Sequence, residues 1–150
     1  MVYQWKPGSQ HSVSAQVAGE MCAELEKDGR LNAQTLVDVN RPEDAPLHSC
    51  FEWNDVLAAE EWREHQARNI INSITVVTMP GQEPVRAYFN IHTKLPNYES
   101  VQAIVQQEDK YQLLLEMAKK ELSAFTRKYK QLSELSKVFD AINELGIDAA

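Results

Sequence analysis

Apolar positions step as helices in the first half of the chain, alternate in its middle, and return to helical steps toward the end. Val17, Met21 and Leu25 are spaced by four, with Val13, Ala18 and Cys22 beside them, which predicts a helix from Ser12 or Ser14 to about Lys27. Gly29, after Asp28, suits the left-handed residue that closes such a helix. Asn32 is placed to cap a second helix bearing Leu36, Val37 and Val39, which must stop before Pro42. Asn54-Asp55 is placed to cap a third, with Val56, Ala59, Trp62, Gln66, Ile70 and Ile74 as its apolar-facing line. Met1 to His11 reads as an irregular lead-in.

From Ile74 the pattern changes. The β-branched run Ile74 to Met79 predicts a strand, Pro80 to Pro84 a turn, and Val85 to Ile91 a second strand, together a β-hairpin. His92 to Asn97 reads as a loop. Tyr98 to Gln106 predicts a short helix, and Glu108-Asp109 opens a long one. There Tyr111, Leu115, Ala118, Leu122, Phe125, Tyr129 and Leu132 alternate steps of four and three, the seam of a coiled coil or an antiparallel helix pair. A last helix carries Leu135, Val138, Phe139, Ile142 and Leu145 and ends at Gly146. The expected architecture is mainly α within an α+β chain. It has a helix-turn-helix-like three-helix unit (1–73), a β-hairpin and linker (74–97), and a C-terminal helical hairpin or coiled coil (98–150).

Composition narrows the function classes. At 150 residues the chain has room for one cored domain or two small modules. No apolar run is long enough for a membrane span. Met1 to Gln10 lacks the apolar stretch of a signal peptide, and two cysteines without a CxxC pair point to a reduced, cytoplasmic setting. The net charge of −7 is uneven: residues 1–70 hold six Lys and Arg against twelve Asp and Glu, and residues 71–150 nine against ten. An acidic protein repels a phosphate backbone unless it carries a local basic patch.

Candidate chemistry is sparse. His48-Ser49-Cys50 is one close ligand pair, with His65 and Cys22 elsewhere, but zinc asks for a second pair, so no metal is expected. There is no nucleophile elbow, P-loop or dinucleotide glycine pattern, and the chain is expected to be neither an enzyme nor a cofactor binder. Two surface sets remain. Lys119, Lys120, Arg127, Lys128 and Lys130 are candidates for contact with nucleic acid. Glu60, Glu61, Glu64, Arg63, Gln66 and Arg68 are candidates for contact with protein. The second helix offers Asn32, Gln34, Thr35 and Asn40 as base readers but no lysine or arginine.

Pro46-Leu47-His48-x-x-Phe51-Glu52-Trp53-Asn54-Asp55, followed by Ala58-Ala59-Glu60, Arg63 and Gln66-Ala67-Arg68, resembles a motif of small phage and prophage proteins. The resemblance covers most of the chain. It implies a phage-encoded protein in the host cytoplasm and supplies no catalytic residue. The expected function is that of a non-enzymatic binding protein acting as a dimer through the Leu115 to Leu132 seam. DNA, in a regulatory role, is the first candidate partner. The alternative is an acidic protein that binds a host factor, an inhibitor or anti-defence role that includes presenting carboxylates where phosphates would sit.

Overall fold

A computed structural model describes residues 1–57, 59–92 and 94–146 of the protein. Ala58, in the resemblance motif, and Thr93, in the loop expected after the hairpin, lie outside the described residues. The chain is α+β, with helices and two small antiparallel sheets. It forms two compact units, the first ending at Ile104 and the second beginning at Val105.

The first unit opens with a strand, β1 (Val2–Trp5), where a lead-in loop was expected. Its register is set at long range: Val2 to Trp5 pair with Val77 to Ile74. Helix α1 (Ala15–Lys27) starts where Ser14 accepts the Val17 amide, and the chain leaves it through Gly29 at φ 67°. Its buried line is Ala15, Ala18, Cys22 and Leu25, displaced from the expected Val17-Met21-Leu25 line, and Val17 is exposed. The cause is Tyr3, whose ring lies so close to Gly19 that any side chain there would strike it. The small residues therefore face the strand. Helix α2 (Ala33–Val39) is capped as expected, Asn32 accepting the Thr35 amide at 2.9 Å, and it buries Leu36 and Val37 completely.

Helix α3 (Glu60–Ser73) begins five residues later than expected. Asn54 does not cap it; its side chain accepts the Val56 amide at 3.0 Å and makes a local turn. Val56 is consequently 91% exposed. The inward line of α3 is Arg63, Ala67, Ile70 and Ile71, so Trp62 falls outside it at 51% exposure. A line drawn through apolar residues alone misses this phase, because an arginine with paired charge occupies a buried position.

Strand β2 (Ile74–Val77) follows α3 directly and lies between β1 and β3 (Val85–Arg86). The hairpin strand expected over Val85 to Ile91 divides at Ala87. The Ala87 amide donates to Ile74 at 3.0 Å while its carbonyl accepts from Val101 at 2.8 Å, so one residue ties β2 to the chain at Val101. Beyond it β4 (Tyr88–Asn90) pairs with β5 (Tyr98–Ser100), a strand where the start of a helix was expected. Only Val101–Val105 is helical there, as α4. The segment 74–97 is thus knitted to residues 1–73 by the β1–β2 ladder. Cys22, Leu31, Leu36, Val37, Leu47, Ala67, Ile70, Ile71, Ile74, Val76, Tyr88 and Tyr98 belong to one core.

The second unit holds α5 (Glu108–Tyr129) and α6 (Ser136–Glu144), close to their expected limits. Phe125 packs at 5.0 Å from Tyr129 and 6.2 Å from Phe139, ring centroid to centroid. Ile142 is buried, and Gly146 closes α6 with φ 74° and a bond to the Asn143 carbonyl. Along the expected seam, Tyr111, Phe125 and Leu132 remain exposed.

Candidate functional site

The segment from Pro46 to Asp55 is fastened by buried polar groups. Asn40, fully buried at the end of α2, accepts the Leu47 amide at 2.9 Å and donates to the Leu36 carbonyl at 2.8 Å. The backbone of a turn cannot satisfy its own amides as a helix does, and Asn40 supplies the missing partner. His48 donates through Nδ1 to the Asn40 carbonyl at 2.9 Å. Its ring stacks on Trp53, 4.8 Å between centroids with 6° between planes, and Trp53 Nε1 donates to the His48 carbonyl at 2.7 Å. His48 therefore serves the packing of this segment, and Cys50 is partly buried against the core.

Arg63 reaches the same indole from α3. Its Nε donates to the Glu52 carbonyl at 2.9 Å, its guanidinium pairs with Asp55 and Glu60, and it lies 5.3 Å from the Trp53 centroid. Glu60 also pairs with Arg41, which in turn bonds Asp38 at 3.0 Å. Gln66 accepts the Glu52 amide at 3.2 Å, which is why an amide interrupts the apolar face of α3. Of the six residues proposed for protein contact, Arg63, Gln66 and Glu60 are thus bound into the fold. Glu61 is exposed beside Trp62, which stacks on His65 at 5.2 Å. Val56 and Leu57, at 91% and 70% exposure, stand on the turn that leads into the same helix end.

Glu64 and Arg68, 3.7 Å apart, line a cleft of about 620 Å³. Its other walls are Asn32 and Gln34 from the start of α2 and Asn90, His92, Asn97 and Tyr98 from the β4–β5 hairpin. His92 Nε2 donates to the Glu99 carboxylate at 2.7 Å, and the Asn90 side chain accepts the amides of His92 and Asn97. Burial raises the Tyr98 hydroxyl above the ordinary tyrosine range, against the opposing pull of Arg86 and Arg68. Among the described residues that line this cleft there is no serine or cysteine. Sequence spacing gave no sign of the cleft, since its polar residues come from segments brought together by β5.

The basic residues belong to the second unit. At 100° per residue, Lys119, Lys120, Arg127 and Lys130 fall within an arc of about 100°, and Lys128 lies outside it. Lys119 is 3.4 Å from Glu116, Arg127 donates to Ser123 Oγ at 3.0 Å, and Lys128 lies over the Tyr129 ring at 5.2 Å. Arg127 and Lys128 stand in the last turn of α5, where cations also complement the helix dipole. No helix among the described residues is long and apolar enough to cross a membrane. Comparison with protein-family models, curated proteins and solved structures finds no match.

Proposed function

We propose that the protein is a non-enzymatic binding protein whose first unit meets a protein partner. The observation that carries this reading is the pairing of four of that unit's five arginines with carboxylates, the fifth, Arg86, donating to Asn72 and to the Tyr88 carbonyl. Arg30 is paired with Asp28, Arg41 with Asp38 and Glu60, Arg63 with Asp55 and Glu60, and Arg68 with Glu64. Binding to a duplex draws its affinity from cations that displace the phosphates' counterions. Cations already answered by carboxylates are poor at that exchange. In a phage setting the partner would be a host factor in the cytoplasm, met by carboxylates such as Glu61.

The order α1, Gly29 turn, α2 supports a helix-turn-helix-like reading, with β2 and β3 as its wing. As a recognition helix, however, α2 exposes Gln34 and Asp38, an acceptor-rich face without a cation. A second reading, a dimeric DNA-binding regulator, is favoured by the basic arc on α5. It requires a duplex to bind that arc, formed by Lys119, Lys120, Arg127 and Lys130, with Lys128 outside it. The seam from Tyr111 to Leu132, part of it exposed, supports self-association in either reading.

Fluorescence anisotropy with a labelled random duplex at low salt separates the two. The protein-binding reading predicts no complex. Tight binding that falls steeply with salt, and disappears when Lys119, Lys120 and Arg127 are all changed to Glu, would establish the DNA reading instead.

A further inference from the structure

We infer that the turn before α3 and the first turn of that helix form a docking surface for a basic amphipathic protein segment. The inference rests on the protein-binding reading above and names the partner's chemistry. Val56, Leu57 and Trp62 are 91%, 70% and 51% exposed. The Asp55–Arg63 pair ties the turn carrying Val56 and Leu57 to the helix start carrying Trp62. Single exposed apolar residues are ordinary, but a gathered group marks a contact surface.

Trp62 is the natural anchor. Tryptophan is enriched among the residues that dominate interface energies, because it brings large apolar area on few rotatable bonds. Stacking on His65, with 23° between the ring planes, holds the indole in place before any partner arrives. Little ordering is then left for the binding step.

The rim fixes the partner's charge. Asp55 has 82% of its side chain exposed and Glu60 45%, and Glu61, next in the chain to Trp62, is exposed as well. Arg63 is buried beneath them and Arg41 pairs with Glu60 and Asp38, so the carboxylates of Asp38, Asp55, Glu60 and Glu61 outnumber the two arginines. An apolar centre within an acidic rim matches apolar side chains flanked by lysine or arginine. Phosphate backbones and anionic membrane surfaces meet the same rim with repulsion. A second copy of this surface would set like rims against each other.

The test is calorimetric titration of the full chain with a synthetic helical peptide carrying leucine on one face and lysine on the others. The control peptide has each leucine changed to serine. The inference predicts binding of the leucine peptide only, weakened about tenfold or more by Trp62→Ser. A Val56→Ser and Leu57→Ser double variant weakens it in the same direction, and all three positions are exposed enough to substitute without unfolding the chain. If Glu61→Lys weakens binding while Trp62→Ser and the double variant do not, the docking surface is overturned and the acidic protein-binding reading stands. If neither peptide binds, the docking surface for a basic segment is overturned, and the protein-binding reading is decided by the duplex titration above. If light scattering shows that Trp62→Ser abolishes self-association in the absence of peptide, the occupant is a second copy, and the basic segment is overturned.

Discussion

The guanidinium of Arg63 lies 5.3 Å from the centroid of the Trp53 ring, with its charge answered by Asp55 and Glu60 and its Nε by the Glu52 carbonyl. One side chain thus closes the loop, begins the helix and covers the indole. Arg63→Ala is expected to lower unfolding free energy, since it removes charged hydrogen bonds and packing against Trp53 together. Arg63→Lys should recover only part of that loss, because an ammonium lacks the planar fork. Urea unfolding of the three proteins measures both effects. Equal stability of wild type and Arg63→Ala would mean that the segment is held by other contacts.

Gly19 and Tyr3 make a second such dependence. Alanine ordinarily stabilises a helix relative to glycine by about 1 kcal/mol. Here the added carbon meets the Tyr3 ring next to its attachment to the strand, so the clash cannot be relieved by a flexible tip. Gly19→Ala should therefore be destabilising by about 1–2 kcal/mol net. Amide exchange should speed up at Val2 to Trp5 in particular, as β1 is displaced.

His11 makes stability depend on pH. Its ring lies 4.2 Å from Trp5, and its Nε2 is buried without a partner among the described residues. Burial lowers its pKa below the ordinary 6.5, so the folded state favours the neutral ring. The unfolded chain then binds the proton first as pH falls. Stability is full above the ordinary value and declines as pH drops through it toward the lowered one. His11→Phe should keep the ring contact and reduce the loss seen between about pH 7 and about pH 5 in thermal melts. An unchanged loss in the variant would assign it to other groups.

The α5 seam carries the prediction about assembly. Tyr111 and Leu132 are 43% and 46% exposed at opposite ends of the four-three pattern. The self-associated form should appear as a dimer by light scattering. Tyr111→Glu together with Leu132→Glu should give a monomer with unchanged helical content. A wild-type monomer at high concentration would remove the seam from the account.

Local signals were legible in the sequence where they were sufficient by themselves. Ser14 and Asn32 cap α1 and α2, and Gly29 and Gly146 close helices, because a cap needs only its own neighbours. β1 and β5 were not legible. Val2 to Trp5 becomes a strand only by pairing with the distant residues Ile74 to Val77, and Tyr98 to Ser100 leads straight into a helix. The phase of α3 was hidden for a different reason: Arg63 occupies a core position that hydropathy assigns to solvent, and Trp62 takes the solvent position that hydropathy assigns to the core. That exchange also concealed the candidate docking surface, which depends on Trp62 pointing outward. The cleft was hidden because its walls come from α2, α3 and the β4–β5 hairpin.

The most direct measurement is photo-crosslinking in bacterial cells, with a photoreactive amino acid at position 61 and, in a separate protein, at position 120. The account predicts a discrete protein adduct from position 61 that charge reversal at Glu64 and loss of Trp62 diminish, and no nucleic-acid adduct from either position. Nucleic acid crosslinked at position 120, with nothing captured at position 61, would contradict the account and assign the protein's work to α5.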